Sequence, residues 1–213
     1  MIIAVDGPVA AGKGTLARRL AAALDLAYLD TGSIYRALGA KLLADGVDPA
    51  DGDKAARAAG SLTLKDLERD DLRDETVGQA ASIVAAIPAV RAALLAFQRD
   101  FAASPPDGKA GAVLDGRDIG TVVCPNAEVK FFVTANTRTR ARRRHKELLE
   151  RGEESIYARV LQDLRDRDAR DSRRATAPLK AAEDAVLIDS SAMGADDAFE
   201  AAMTVICQQN ADR

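Results

Sequence analysis

A glycine-rich loop lies directly between the first apolar run of the chain and a helical pattern. The apolar run is Ile2–Val5, and the loop reads Gly7-Pro8-Val9-Ala10-Ala11-Gly12-Lys13-Gly14-Thr15. Glycines let a backbone curl until successive N–H groups face one point, and the following helix adds the positive end of its dipole. A strand, such a loop and a helix in this order favour an α/β fold with a site for phosphate groups.

Two side chains of the loop add chemistry to this backbone cradle. Lys13 is spaced to reach the β- and γ-phosphates of a nucleoside triphosphate, and the Thr15 hydroxyl is a candidate ligand of Mg²⁺. The usual motif has Ser or Thr directly after the lysine, whereas Gly14 intervenes in this chain. We predict that every residue of the loop, from 7 to 15, contacts a bound nucleoside triphosphate.

Short apolar runs alternate with helical patterns along the whole chain. The predicted strands are Ile2–Val5, Ala27–Leu29, Ala112–Leu114, Val129–Thr134 and Ala185–Ile188. The predicted helices are Lys13–Leu24, Ser33–Ala44, Glu75–Ala86, Pro88–Phe101, Arg138–Leu149 and Ala195–Cys207. Apolar strands separated by helices predict an α/β protein with a five-stranded parallel sheet flanked by helices.

Two connections between these elements are longer than the sheet requires. Residues 46–111 hold no apparent sheet strand, although a single helix can connect two parallel strands, so we predict an inserted subdomain there. A second excursion covers residues 149–157 and interrupts the arginine-rich helices at Gly152. The core is then assigned to residues 1–45, 112–148 and 158–213.

The charge of the chain is nearly balanced overall but uneven along the sequence. The formal net charge is −3, from 30 Lys and Arg against 33 Asp and Glu, which argues against a generic nucleic-acid or membrane-surface binder. Residues 138–174 nevertheless hold 13 Lys and Arg against 8 Asp and Glu, which predicts an anionic ligand. The chain has no charged leader segment, and its two cysteines fit neither a disulfide framework nor a zinc site. We therefore expect a cytoplasmic protein.

Polar residues that follow the second and third strands are candidates for binding an acceptor. Asp115 stands where a carboxylate can hold hydrated Mg²⁺, and Arg117 and Asp118 come directly after it. Thr31 is either a helix N-cap or a hydroxyl for a ligand, and Arg36, one turn later, can grip a phosphate with two N–H groups. Ordinary turns and a capped helix remain the alternatives at these positions.

A third cluster lies in the arginine-rich part of the chain. Arg167, Asp171 and Arg174 are spaced i, i+4 and i+7, so a helix would place them on one face. The alternative is a solvated face of ion pairs, which such spacing also favours.

The order of these motifs resembles that of the bacterial cytidylate kinases, which belong to the nucleoside-monophosphate group of P-loop kinases. The motifs are Val5-Asp6-Gly7-Pro8, Gly12-Lys13-Gly14-Thr15, Asp30-Thr31-Gly32-Ser33-Ile34-Tyr35-Arg36, Ala80-Ala81-Ser82, Pro88-Ala89-Val90-Arg91, Asp115-Gly116-Arg117-Asp118-Ile119-Gly120-Thr121, and the Arg165–Arg174 cluster before Ala177-Pro178-Leu179. They span nearly the whole chain. The insert and the DGRD sequence differ from adenylate kinases, whose acceptor motif resembles DGFPR. Residues 62–76 are shorter and more charged than the strand segment often found in the family's insert.

The resemblance implies transfer of the γ-phosphoryl group of ATP to CMP or dCMP. It also implies that residues 46–111 form the subdomain that binds the monophosphate and that residues 149–157 form a short lid. Hinged closure of both over the core is expected to exclude water. The resemblance further implies a cytosine pocket of Thr31, Ser82, Arg91 and Asp118, phosphate contacts from Arg36, Arg117 and Arg174, ribose and bridging contacts from Arg167 and Asp171, and Arg140 against the adenine. Catalysis is expected from Lys13, Arg117, Arg167 and Arg174, with Mg²⁺ held by Thr15 and, through water, by Asp115.

Three other functions remain compatible with the sequence. A kinase of the same fold could act on another nucleoside monophosphate or a small metabolite. An RNA-binding NTPase could use the arginines of residues 138–174, although the chain lacks recurrent aromatic residues for stacking bases. A nucleotide-binding structural module would bind ATP without turnover. We expect small-molecule substrates, no nucleic acid, no membrane and a monomer.

Overall fold

The computed structural model describes residues 1–173 and 177–211. The strands are β1 (Ile2–Asp6), β2 (Ala27–Asp30), β3 (Ala112–Gly116), β4 (Val129–Thr134) and β5 (Val186–Asp189). The α-helices are α1 (Lys13–Ala23), α2 (Thr31–Ala44), α3 (Gly52–Ala59), α4 (Glu75–Val84), α5 (Pro88–Ala103), α6 (Thr137–Glu150), α7 (Tyr157–Arg173) and α8 (Ala195–Ala211). Short 3₁₀ helices cover Leu64–Glu68, Asp70–Arg73 and Pro106–Gly108, and Ile119–Val123 forms one turn of π-helix.

The strands form one parallel sheet with the order β2-β3-β1-β4-β5. All five predicted strands are confirmed, with ends shifted by no more than two residues. β1 is the central strand, and every residue from Ile3 to Asp6 is buried, as expected for a strand covered on both faces. The loop after β1 therefore begins from the most constrained part of the sheet.

The chain divides into two compact units, and the boundary falls within β2. The first unit comprises residues 1–28 and 106–213. Its main apolar core joins β1, β3, β4 and β5 to α1 and α8, and Phe131 and Leu20 are among its fully buried members. A smaller cluster of Ala141, Val160 and Leu164 joins α6 to α7, and Val9 packs against it. The phosphate loop is therefore packed against α6 and α7 through Val9.

The second unit comprises residues 29–105 and contains α2 to α5. α2 packs closely on α4, because a Cβ at Gly39 would lie only 3.0 Å from the backbone N of Ala81. Helix α3 was not predicted: it is short, and it begins where the Asp51 carboxylate accepts the N–H of Lys54 at 3.1 Å. Residues 62–76, singled out in the sequence as short and charged, hold the first two 3₁₀ helices.

Within residues 1–173 and 177–211, no single helix is long and apolar enough to cross a bilayer. α4 and the segment from Pro88 to Gly108 reach that length only as a pair bent by 101°.

The carboxylate of Asp6 connects the end of β1 to the π-helical turn after β3. It accepts the N–H groups of Ile119 and Gly120, both at 2.8 Å, and the side chain is only 4% exposed. Burial raises the pKa of Asp6 to about 7, although the two N–H groups act in the opposite direction; the negative charges of Asp118 and Asp115 raise it further. The fold therefore holds a proton here that an unfolded chain releases near pH 4.

This shift predicts a specific dependence of stability on pH. Because the pKa of Asp6 is higher in the fold than in the unfolded chain, binding of its proton stabilises the fold. This contribution to the free energy of unfolding is fully present below about pH 4. That contribution is lost as the pH rises towards 7. In Asp6→Asn, the free energy of unfolding measured in urea should fall less between pH 4.5 and 7.5 than in the parent.

The control for this experiment is Asp107→Asn, which removes one exposed negative charge from the same unit. This variant should keep the parent's slope. The same slope in Asp6→Asn would mean that Asp6 is ionised in the fold throughout this range.

Candidate functional site

The phosphate loop has a backbone that only certain residues can adopt. Gly7 has a φ of 150°, and a Cβ on it would lie 2.0 Å from the carbonyl oxygen of Val133. Ala10 and Gly12 have φ angles of 59° and 92°, in the left-handed region that non-glycine residues rarely occupy. Left-handed residues interspersed in such a loop turn successive N–H groups to one side and form a concave site for anions.

The residues after the curl place a positive and a negative charge together. The Lys13 ammonium lies 3.4 Å from a carboxylate oxygen of Asp115, and both side chains are largely buried. A Cβ on Gly14 would lie 2.9 Å from the other Asp115 oxygen. The glycine between Lys13 and Thr15 therefore leaves space for this carboxylate, which explains the departure from the usual motif.

The residues near this pair suit a magnesium ion that is shared with phosphates. Asp115 is buried, whereas Thr15 is exposed at the start of α1. Within the described ranges, no group of three or more His, Cys, Asp or Glu side chains is placed to hold a metal. Mg²⁺ commonly takes one or two protein oxygens and completes its shell with phosphate oxygens and water. Thr15 and Asp115 fit that pattern.

Arg140 is firmly held by other groups of the protein. Its guanidinium donates to both carboxylate oxygens of Asp168, at 3.0 and 2.5 Å, and to the carbonyl of Ala135 at 2.9 Å. It also donates to the carbonyl of Val9 in the phosphate loop at 3.3 Å. Arg140 is 4% exposed and ties α6 to α7 and to the loop. Its contact with adenine stays a prediction.

Two of the predicted acceptor residues meet on the first unit. Arg117 Nε donates to Asp171 at 3.2 Å, and the same guanidinium donates to the carbonyl of Gly116 at 3.1 Å. Asp118, the next residue after Arg117, is buried at the start of the π-helical turn. Arg167 lies one helical turn before Asp171 and is half-buried. Arg174 lies outside the described residues.

The predicted acceptor residues of the second unit lie on α2, α4 and α5. α2 begins at Thr31 with Asp30 in the N-cap position, so Thr31 is a buried first-turn residue and not the cap. Arg36 Nη2 donates to Asp30 at 2.6 Å, and its buried Nε has no hydrogen-bond partner among the described residues. Arg91 lies over the Tyr35 ring, 5.8 Å from its centroid. Ser82, on α4, is half-buried.

Ser190 and Arg143 were not among the predicted site residues, but both side chains contact the phosphate loop. Ser190 follows β5, and its hydroxyl donates to the carbonyl of Ala11 at 2.7 Å. Arg143 on α6 donates to the Ser190 hydroxyl at 2.9 Å. The position of Ser190 directly after a parallel strand was the available signal, because the carboxyl ends of such strands meet at one edge.

The sequence is similar to those of known cytidylate kinases. A family model described as cytidylate kinase matches residues 3–208. The cytidylate kinase of Paramagnetospirillum magneticum is 63% identical over 205 residues, which cover 96% of this chain and 97% of that protein. The cytidylate kinase of Rhodospirillum rubrum is 56% identical over 210 residues, 99% of each.

A solved structure of an uncharacterized protein from Eubacterium ventriosum matches with a TM-score of 0.53 at 14% identity, and the match covers 98% of both chains. This likeness concerns the fold alone. The family model and the two relatives extend over nearly the whole sequence, and the chain belongs to the cytidylate kinase family.

Proposed function

We propose that the protein transfers the γ-phosphoryl group of ATP to CMP or dCMP and releases ADP with CDP or dCDP. The observation that carries the proposal is the phosphate loop, with Lys13 held 3.4 Å from Asp115, in a chain of this family. Lysine at this position of such a loop serves the β- and γ-phosphates of a nucleotide.

The donor is bound chiefly by the backbone of residues 7–15. Its N–H groups donate hydrogen bonds to the oxygens of the triphosphate, and Lys13 adds a positive charge next to the γ-phosphate. Mg²⁺, held by Thr15 directly and by Asp115 through water, would neutralise further negative charge when it is bound. Arg140 keeps its predicted place near the adenine, with its side chain already fixed by Asp168.

The phosphate of the acceptor is bound by arginines. Arg36 has one buried N–H that finds no partner among the described residues, which suits a ligand that brings acceptor oxygens. Arg117 is oriented by Asp171, so its guanidinium is held in one direction before a ligand arrives. Arg167 and Arg174 are assigned to the same phosphate and to the ribose, together with Asp171.

The cytosine base is assigned to Thr31, Ser82, Arg91 and Asp118. Cytosine offers an amino group that donates hydrogen bonds, and O2 and N3 atoms that accept them. A carboxylate such as Asp118 suits the amino group, whereas Arg91 and the two hydroxyls suit the accepting atoms. Uracil has a carbonyl where cytosine has its amino group, so a carboxylate disfavours it.

The reaction needs no strong general base, because the attacking phosphate oxygen of CMP is already ionised at neutral pH. The rate enhancement must then come from positioning and from positive charge around the transferred group. We assign this role to Lys13, Arg117, Arg167 and Arg174.

The setting of this activity is part of the proposal. ATP and CMP are intracellular metabolites, so we place the protein in the cytoplasm. We further propose that it acts as a monomer on these two small substrates and requires neither nucleic acid nor a membrane.

The direct test is ADP release with a panel of acceptors: CMP, dCMP, UMP, AMP and dTMP. CMP or dCMP should give the highest kcat/KM. A higher value for any other acceptor would contradict the proposal and indicate a kinase with a different substrate.

Replacing the loop lysine should remove turnover without unfolding the protein. Lys13→Ala is expected to lower kcat by about 10³-fold or more, because a positive charge beside the transferred group is lost. Lys146→Ala, which removes an exposed lysine paired with Glu150 on α6, is the control and should keep full activity. The variants are compared by kcat and by thermal unfolding. Substantial turnover in Lys13→Ala would exclude its assigned role.

Changes in the proposed base pocket should alter selectivity more than rate. Asp118→Asn and Arg91→Ala should each lower the ratio of kcat/KM for CMP to that for UMP by about tenfold or more, because a matched polar partner is removed. KM for ATP should stay near the parent value. An unchanged ratio in both variants would contradict the assignment of the pocket.

A further inference from the structure

We propose that Ser190 is a positioning residue for the triphosphate of the donor. It acts by fixing the peptide group between Ala11 and Gly12 in the phosphate loop. This inference rests on the proposed function, because it assumes that the loop binds the phosphates of ATP.

The partners of the Ser190 hydroxyl determine which of them receives its single proton. It lies 2.7 Å from the carbonyl oxygen of Ala11 and 3.1 Å from that of Thr134, and Ser190 is only 4% exposed. Arg143 Nη1 lies 2.9 Å from the hydroxyl oxygen and can only donate to it. The single hydroxyl proton must therefore go to a carbonyl, and the shorter contact is with Ala11.

Holding the Ala11 carbonyl determines where the next N–H points. The peptide bond between Ala11 and Gly12 is trans, so its C=O and N–H groups lie in one plane and point in opposite directions within it. With the carbonyl turned out towards Ser190, the N–H of Gly12 is turned the other way, towards the concave side of the loop. That N–H is one of the groups available to a phosphate oxygen.

The loop has a physical need for such an external contact. The residues on either side of Ala11 both have positive φ, 59° at Ala10 and 92° at Gly12. Such a segment keeps its conformation only when the surrounding structure enforces it. The carbonyl of Val9, two residues before Ala11, accepts a hydrogen bond from Arg140 at 3.3 Å, so two carbonyls of the loop have partners outside it.

The turn that carries Ser190 is fixed without its hydroxyl. The N–H of Ser190 donates to the carbonyl of Thr134 at 2.8 Å, and Arg143 Nη2 donates to the carbonyl of Ser190 at 2.6 Å. The hydroxyl of the next residue, Ser191, accepts the N–H of Asn136 at 2.8 Å. Removal of the Ser190 hydroxyl should therefore leave the turn in place. The Ala11 carbonyl would then keep only the longer hydrogen bond from Arg143 Nη1, at 3.5 Å.

The test compares Ser190→Ala with Ser191→Ala, which removes a hydroxyl from the same turn. The Ser191 hydroxyl contacts Asn136, the N-cap residue of α6, and the carboxylate of Asp189. In Ser190→Ala, KM for ATP should rise about five- to tenfold, the range for one lost hydrogen bond, while KM for CMP stays unchanged. The inhibition constant of magnesium tripolyphosphate against ATP should rise by the same factor, because this probe has phosphates but no base or ribose. Ser191→Ala should change neither value by more than about twofold.

Three results would overturn the inference. They are an unchanged KM for ATP in Ser190→Ala, an equal rise of this KM in Ser191→Ala, or a rise of KM for ATP without a rise of the inhibition constant of tripolyphosphate.

If Ser190→Ala does not fold, Ser190→Cys keeps the side-chain volume with a weak hydrogen-bonding group and should show the same pattern. Binding of the non-hydrolysable analogue AMP-PNP, measured by calorimetry, should weaken by the same factor in the Ser190 variant. Absence of CMP phosphorylation by the parent protein would contradict the proposed function, whereas the calorimetric comparison still tests Ser190.

Discussion

A phosphate that is bound by backbone N–H groups needs all of them to point inward, and a chain of L-residues does not adopt that curl without support. In this protein the support begins with Gly7, where the backbone passes so close to the carbonyl of Val133 that no Cβ fits. Beyond it, the outward carbonyls of Val9 and Ala11 are held by Arg140 and Ser190. Strand β4, helix α6 and the turn after β5 thus determine the shape of one short loop.

The unit that carries this loop also holds several buried charges. Asp6, Asp115 and Asp118 are all buried in the first unit, and burial together with their mutual repulsion keeps the pKa of Asp6 near 7. Lys13 offsets part of this negative charge through Asp115. In the proposed function, a triphosphate would give Lys13 a second anionic partner, and Asp115 would help to hold Mg²⁺ through water, so neither charge of the pair would be left unmatched.

Much of this could be read from the sequence, because the relevant signals are local. Apolar runs of strand length and the spacing of Gly7, Gly12 and Lys13 were enough to predict the sheet and the phosphate loop. Helix α3 was not predicted because it has only eight residues, which is too short for a long periodic pattern. Thr31 was offered as a possible N-cap, but Asp30 occupies that position.

The contacts that support the loop depend on distant parts of the chain, and local patterns do not report them. Arg140 reaches Asp168 and Val9, and Ser190 is separated from Ala11 by 179 positions in sequence. In the sequence, Arg140, Arg142, Arg143 and Arg144 form one undifferentiated basic group. The fold buries Arg140 and turns Arg143 towards Ser190.

The fate of the γ-phosphate tests the account most directly. With [γ-³²P]ATP, Mg²⁺ and equimolar CMP, the label should appear in CDP within the first turnovers; label released as inorganic phosphate, or retained in ATP, would contradict the account.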